Sequence, residues 1–173
     1  MFTPEQARGL AAFLIRCLEE EAPITRKVLA AVPDACLDFK LGEKGRTARE
    51  LMWHIILSEG WFAEGIAAQR FGEEPKAPAP AAVREMAARY DRDFAAAIAK
   101  MKAVPAERLA RPIDFFGMFN LPAVAYLQFW LTHSIHHRGQ LSSYLRAMNA
   151  RVPAMYGSSA DEECAAPASM AST

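Results

Sequence analysis

Thr3-Pro4-Glu5-Gln6-Ala7-Arg8-Gly9-Leu10-Ala11-Ala12-Phe13-Leu14-Ile15-Arg16-Cys17-Leu18 reads as a helix from its first residue. Thr3 is suited to the N-cap, Pro4 to the first helical position, and Gln6 completes a reciprocal capping box. Leu10, Phe13, Leu14, Cys17 and Leu18 then recur at helical spacing and define an expected apolar face. The same grammar returns downstream. Thr47-Ala48-Arg49-Glu50 is a second capping box, after which Leu51, His54, Ile55, Ser58 and Trp61 share a face. A third helix is expected from about Ala81 to Val104, with Val83, Met86, Ala87, Tyr90, Phe94, Ala97 and Met101 as its stripe. A fourth is expected from an Asn120 N-cap to about Asn149. Long helical patterns without β-branched alternation point to an all-α protein, and a four-helix bundle is the natural way to bury four such stripes.

The connections are marked by proline and glycine. Pro23 removes one backbone donor from the first helix, so a kink or break is expected there. Pro33-Asp34 ends that element, and a loop with Asp38, Gly42 and Gly45 leads to the second helix. Gly72 is expected to cap the second helix. Pro75, Pro78 and Pro80 make the Gly72–Pro80 connector extended. The flanking helices are too short to fold alone, so the connector is no domain boundary. Ile113 to Phe119, aromatic around Gly117, is expected to be a loop over a helix end. One domain is expected over 1–163, followed by a low-complexity tail over 164–173.

Composition narrows the function. The 173 residues carry 20 basic and 20 acidic side chains and are 52% hydrophobic. Balanced charge gives no electrostatic case for nucleic acid or an anionic membrane. No apolar run is long enough to span a bilayer, and the N-terminus lacks the pattern of a signal peptide. Cys17, Cys36 and Cys164 stand at unrelated spacings and read as reduced thiols of a cytoplasmic protein.

Three of the four histidines fall within five residues, at His133, His136 and His137, and the fourth is His54. His133 and His137 project from one helical face, with roughly 5–6 Å between Cβ atoms. That separation lets two imidazoles converge on one transition-metal ion, and His54 supplies a third if the second and fourth helices are neighbours. The plainer alternatives are a solvated pair and a core histidine. His136, three residues after His133, competes with His137 on angle alone and is assigned to the surface or to the surroundings of the ligands. Gln140 can reach the same site as a hydrogen-bonding helper or be a helix polar residue without a role. Arg138 has three readings: a pair with a carboxylate such as Glu59, an anion contact, or a solvated surface arginine. Glycine-rich phosphate loops, nucleophile elbows and C-x-x-C pairs are absent from the sequence.

His133-Ser134-Ile135-His136-His137-Arg138-Gly139-Gln140-Leu141 resembles the H-x-x-x-H-R-G-Q-L signature of the DinB/YfiT-like metalloenzymes. Lys44-Gly45-Arg46-Thr47, continued through Glu50-Leu51 to Trp53-His54, is similar to that family's first ligand helix. The loop from Val32-Pro33 to Leu37-Asp38-Phe39, and Pro153 to Tyr156-Gly157 with Ser159-Ala160-Asp161-Glu162, are similar too. The resemblance implies a four-helix bundle and a divalent metal, zinc or nickel, held by three histidines. These map onto His54, His133 and His137, with Gln140 as helper. It also implies a homodimer acting on a small molecule, and an affinity for low-molecular-weight thiols such as bacillithiol, mycothiol or glutathione.

The leading expectation is therefore a metal-dependent enzyme of the thiol-dependent S-transferase type. A thiolate is both a good ligand for such an ion and a good nucleophile. The alternatives are a non-catalytic metal-binding stress protein and a metal-dependent hydrolase.

Overall fold

The computed structural model describes residues 2–163; the tail expected over 164–173 lies outside the described residues. The elements are α1 (Pro4–Ala30), a short 3-10 turn (Asp34–Cys36), α2 (Ala48–Ala68), α3 (Val83–Lys102), α4 (Ala106–Ala110), β1 (Pro112–Phe115), β2 (Phe119–Pro122) and α5 (Ala125–Ala147). The four long helices form the bundle. α2 packs on α3 and α5, and α1 packs on the same two, so α2 and α5 are neighbours.

Both capping boxes are present, Thr3 with Gln6 and Thr47 with Glu50. They fix the phase of their helices, and the core follows. In α1 the buried stripe is Ala7, Ala11, Leu14, Ile15 and Leu18, rotated from the expected face; Phe13 is 53% exposed. α3 buries the stripe its sequence displays, with Ile98 added and Phe94 half-buried. Asp34, in the 3-10 turn, accepts the Val83 N–H at 2.7 Å and supplies the N-terminal bond that Ala82 has no side chain to make.

Four local expectations are corrected. α1 runs unbroken through Pro23, because that residue lies on the exposed side, where the carbonyl it leaves unpaired meets water. α2 stops at Ala68 with Gln69 in the left-handed region (φ 60°), so Gln69 rather than Gly72 caps it. The segment expected to be a loop is a β-hairpin, β1 pairing antiparallel with β2. Its turn is closed by Gly117 at φ 72°, with Asp114 accepting the Gly117 N–H. Asn120 therefore faces Asp114 in the ladder, and α5 begins at Ala125 without a side-chain cap.

The interior is divided. One apolar cluster joins Leu14 and Leu18 of α1 with Phe62 and Ile66 of α2, Ile98 and Met101 of α3, and Leu127 and Trp130 of α5. The other joins Val28 and Leu29 with Met52 and Ile56, Met86 and Tyr90, and Leu141 and Leu145. Between them, at mid-height, lie the polar side chains of Glu21, Thr25, Ser58, Glu59, His133, Ser134, His137 and Arg138. The candidate site belongs to this layer.

Candidate metal centre

His54 comes from α2, and His133 and His137 from α5, one turn apart on the edge that faces α2. Their ligand atoms form the group among the described residues that could hold a metal ion. His54 Nε2 lies 3.0 Å from His133 Nε2 and 3.2 Å from His137 Nε2. Two nitrogens bound to one ion at about 2.0–2.1 Å stand about 2.8–3.4 Å apart for bond angles between about 90° and 109°. Both separations fall in that range.

The protonation state fits as well. Burial pushes His54 down to about 4, helped by the charge of Arg46 and by His137. His133 is pushed to about 3, again mainly by burial and then by its neighbouring imidazoles. His137 is lowered by burial too, against the opposing bond from Gln140. All three are neutral at pH 7, the form that binds a cation.

Partners on the far side of two rings decide where their lone pairs point. His137 Nδ1 lies 2.7 Å from Gln140 Oε1, an acceptor, so Nδ1 carries the hydrogen and Nε2 is bare. His54 Nδ1 faces the Glu74 carboxylate at 3.6 Å, which favours the same tautomer. Two bare nitrogens 3.2 Å apart repel each other unless a cation lies between them. The donor set thus fits a transition ion. His133 has no such orienting partner: its Nδ1 is buried and unpaired, and the ring edge packs on Phe62.

The remaining sequence candidates separate clearly. Gln140 orients His137. His136 is exposed, stands outside the converging group, and meets the His137 ring at 4.9 Å between centroids. Arg138 is neither solvated nor in contact with the entrance. It is 1% exposed, donates to Thr25 Oγ1 at 3.1 Å and to the Tyr156 hydroxyl, and pairs with Glu21 at 2.5 Å rather than with Glu59. Glu59 instead accepts from Trp130 Nε1 and from Ser134 Oγ at 3.0 Å. Cys17 and Cys36 are free thiols away from the cluster.

Sequence reasoning missed Glu74 and the cavity it helps to form. The connector after α2 is pinned across that helix by three side chains. Trp61 donates to Gly72 O at 2.9 Å, Trp53 to Ala77 O at 2.6 Å and Arg49 to Pro80 O at 3.0 Å. Beneath it lies a cavity of about 460 Å³ lined by Trp53, His54, Leu57, Glu74, Pro75 and Pro78. The available signal was two tryptophans beside a proline-rich stretch. A second depression, about 610 Å³, opens beside Gln140 and the Leu41–Arg46 loop. Gly45 permits that loop's close approach, since a Cβ there would stand 3.1 Å from the Tyr144 hydroxyl.

Known proteins agree with this architecture. YrdA of Bacillus subtilis (strain 168), described as uncharacterized, is 25% identical over 149 residues, spanning 86% of this chain and 89% of its own. A DinB-like protein from Bacillus cereus ATCC 10987 superposes with a TM-score of 0.72 at 24% identity, over 83% of this chain and 95% of that one. The DinB-like protein YjoA from Bacillus subtilis gives 0.70 at 23% identity, over 83% and 96%. These structures share the fold. No helix among the described residues is long and apolar enough to cross a membrane. The DinB family pattern matches residues 1–167, and the chain belongs to the DinB family.

Proposed function

We propose that His54, His133 and His137 hold a divalent transition ion, zinc or nickel, in a metal-dependent enzyme of the thiol-dependent S-transferase type. The observation that carries the reading is the convergence of three neutral imidazoles, with Nε2 separations of 3.0 and 3.2 Å, beside a cavity of about 460 Å³. When bound, such an ion supplies Lewis acidity and lowers the pKa of a thiol or water nearby.

The chain's own residues do the rest. Gln140 holds His137 in the tautomer whose Nε2 lone pair faces the centre, and Glu74 does the same for His54. Trp53, Leu57, Pro75 and Pro78 wall the cavity with apolar surface that excludes water around a reacting group. The pinned connector keeps that wall in place. A cytoplasmic homodimer that acts on a small molecule, and on neither nucleic acid nor membrane, completes the proposal. Free Cys17 and Cys36 and the balanced charge support it.

The test is metal analysis of protein purified without a histidine tag, with affinities from chelator competition. Stoichiometric zinc or nickel is expected in the unaltered chain. His133→Ala should weaken binding by about 10²–10³-fold, a one-ligand share of the roughly 10–16 kcal/mol that four ligands provide in zinc fingers. Equal affinity in the variant would overturn the ligand set. Small thiols should change the visible spectrum of the cobalt-loaded protein; indifference to all of them would favour the hydrolytic or non-catalytic alternative.

A further inference from the structure

The depression of about 610 Å³ beside the histidine cluster differs from the connector cavity in its chemistry. Its lining includes Lys44, Arg46, Gln140, Ser143 and Tyr144. Neither Lys44 nor Arg46 has a hydrogen-bonded or ion-paired partner for its side chain among the described residues. Gln140 spends its Oε1 on His137, which leaves its amide hydrogens free. Tyr144 is engaged with Arg46 O at 2.8 Å, and so holds the loop in place. Three sets of unanswered donors therefore share one groove.

The nearby carboxylates make no ion pair with them, although the charge of Arg46 helps to hold Glu50 below the usual carboxylate range. Glu50 accepts the Thr47 N–H at 2.7 Å as part of the α2 cap, and Glu43 is exposed without an ion pair to Lys44 or Arg46. The groove also communicates with the cluster. Gln140 touches both, and the charge of Arg46 adds to burial in keeping all three imidazoles neutral.

We propose that the groove formed by Lys44, Arg46 and Gln140 binds the carboxylate of a small anionic ligand and directs the ligand's other end toward the three histidines. The inference rests on the proposed function for what happens at that other end, but the carboxylate site exists without the ion. Arg46 provides the planar fork that suits a carboxylate, Lys44 a second positive charge, and Gln140 a neutral donor on the side of the cluster. A substrate or co-substrate bearing a carboxylate is thereby distinguished from an uncharged one of the same size.

Succinate titrated into the ¹⁵N-labelled, metal-free protein at pH 7 and low salt tests this. Saturable shifts are expected at the Arg46 side-chain Nε–H and the Gln140 amide, with a dissociation constant of about 1–10 mM. Arg46→Gln should weaken binding by about tenfold or more, the usual value of one charge-assisted contact, and Arg46→Lys should recover part of it. Higher ionic strength should weaken it further. Identical shifts with 1,4-butanediol, no saturable shift, or an unchanged Arg46→Gln would overturn the proposal. Zinc affinity, measured separately, should not fall in Arg46→Gln, since Arg46 is no ligand and losing its positive charge favours a cation. A chain that binds succinate but no metal overturns the proposed function alone, and one that binds metal but no succinate overturns this inference alone.

Discussion

Two polar clusters share the middle layer of the bundle, and α5 contributes to both from adjacent faces, about 80° apart. Trp130, Ser134 and Arg138 meet Glu59 of α2 and Glu21 and Thr25 of α1, while His133 and His137 meet His54 of α2. In the inner cluster every donor finds an acceptor: two oxygens of Glu59 are used, and Arg138 meets a carboxylate and two hydroxyls. In the outer cluster the three Nε2 atoms face one another, and His133 Nδ1 has no partner among the described residues. A buried polar network that is complete serves the fold. One that converges on nothing invites a ligand, and the contrast separates scaffold from site along a single helix.

The largest effect expected from breaking this contrast is at Arg138. Arg138→Met keeps the apolar stem but removes a guanidinium from a pair in which its side chain is 2% and Glu21 19% exposed. A part-buried carboxylate then keeps only the Tyr156 hydroxyl at 2.8 Å, at a cost of about 3 kcal/mol, the low end for a broken buried pair. Urea unfolding of the metal-free protein measures it. The matched change in the outer cluster, His137→Leu, should move stability of the metal-free chain by less than about 1 kcal/mol, since the bond it loses to Gln140 is exposed and water can replace it. Equal losses in the two variants would show that the histidines are scaffold.

pH separates the clusters next. Burial raises Glu59 to about 7, against the opposing bonds from Trp130 and Ser134 and the charge of Arg138. The folded chain therefore keeps a proton that the unfolded chain gives up near 4.5, so this contribution to stability is full below pH 4.5 and is lost as pH rises through about 7. Its span is roughly 3 kcal/mol. His54 and His133 act in the opposite sense: their folded values near 4 and 3 lie below 6.5, so their stabilisation is present above pH 6.5 and is lost as pH falls through those values. Between about pH 4.5 and 6.5 the two histidines outweigh Glu59, so metal-free stability rises with pH; Glu59→Gln should steepen that rise and remove the fall between about 6.5 and 7. A pH profile of stability unchanged by Glu59→Gln would place the titrating group elsewhere.

The same layer shows what the sequence could reveal. The Thr47 capping box sets the phase of α2 for His54, and four-residue spacing puts His133 and His137 on one face of α5, so they were legible as facing residues once α2 and α5 were neighbours. The neighbours of Arg138 were not legible. Glu21 lies 117 positions away and Tyr156 comes from the segment after α5, so only the folded chain brings them together. Periodicity missed the β-hairpin because its strands are four residues each, and the alternation in Ile113-Asp114-Phe115 and Phe119-Asn120-Leu121 is too short to stand out. Glu74 was invisible because its placement depends on Trp53 and Trp61 bonding the connector's carbonyls, a contact with no sequence period. Phe13 was misplaced because small alanines, not the large ring, occupy the tightest part of the α1 interface.

The smallest expected effect is at His136, and it sharpens the boundary of the outer cluster. The sequence offers two pairings with His133, at three residues and at four. On an ideal helix these differ from His133 by about 60° and 40°, too little to decide by angle. The fold decides it: His137 Nε2 is 3.2 Å from His54 Nε2, whereas His136 is exposed and stands only edge-on to the His137 ring at 4.9 Å between centroids. His136→Ala should leave metal stoichiometry unchanged and alter affinity by less than about twofold, because a solvated imidazole contributes neither a bond nor much field in water. Stability should shift by less than about 0.5 kcal/mol, as for most surface changes. Metal titration of His136→Ala beside His137→Ala provides the comparison. Loss of the ion in the first and its retention in the second would reverse the assignment of the α5 face, and with it the line drawn between the site and its surroundings.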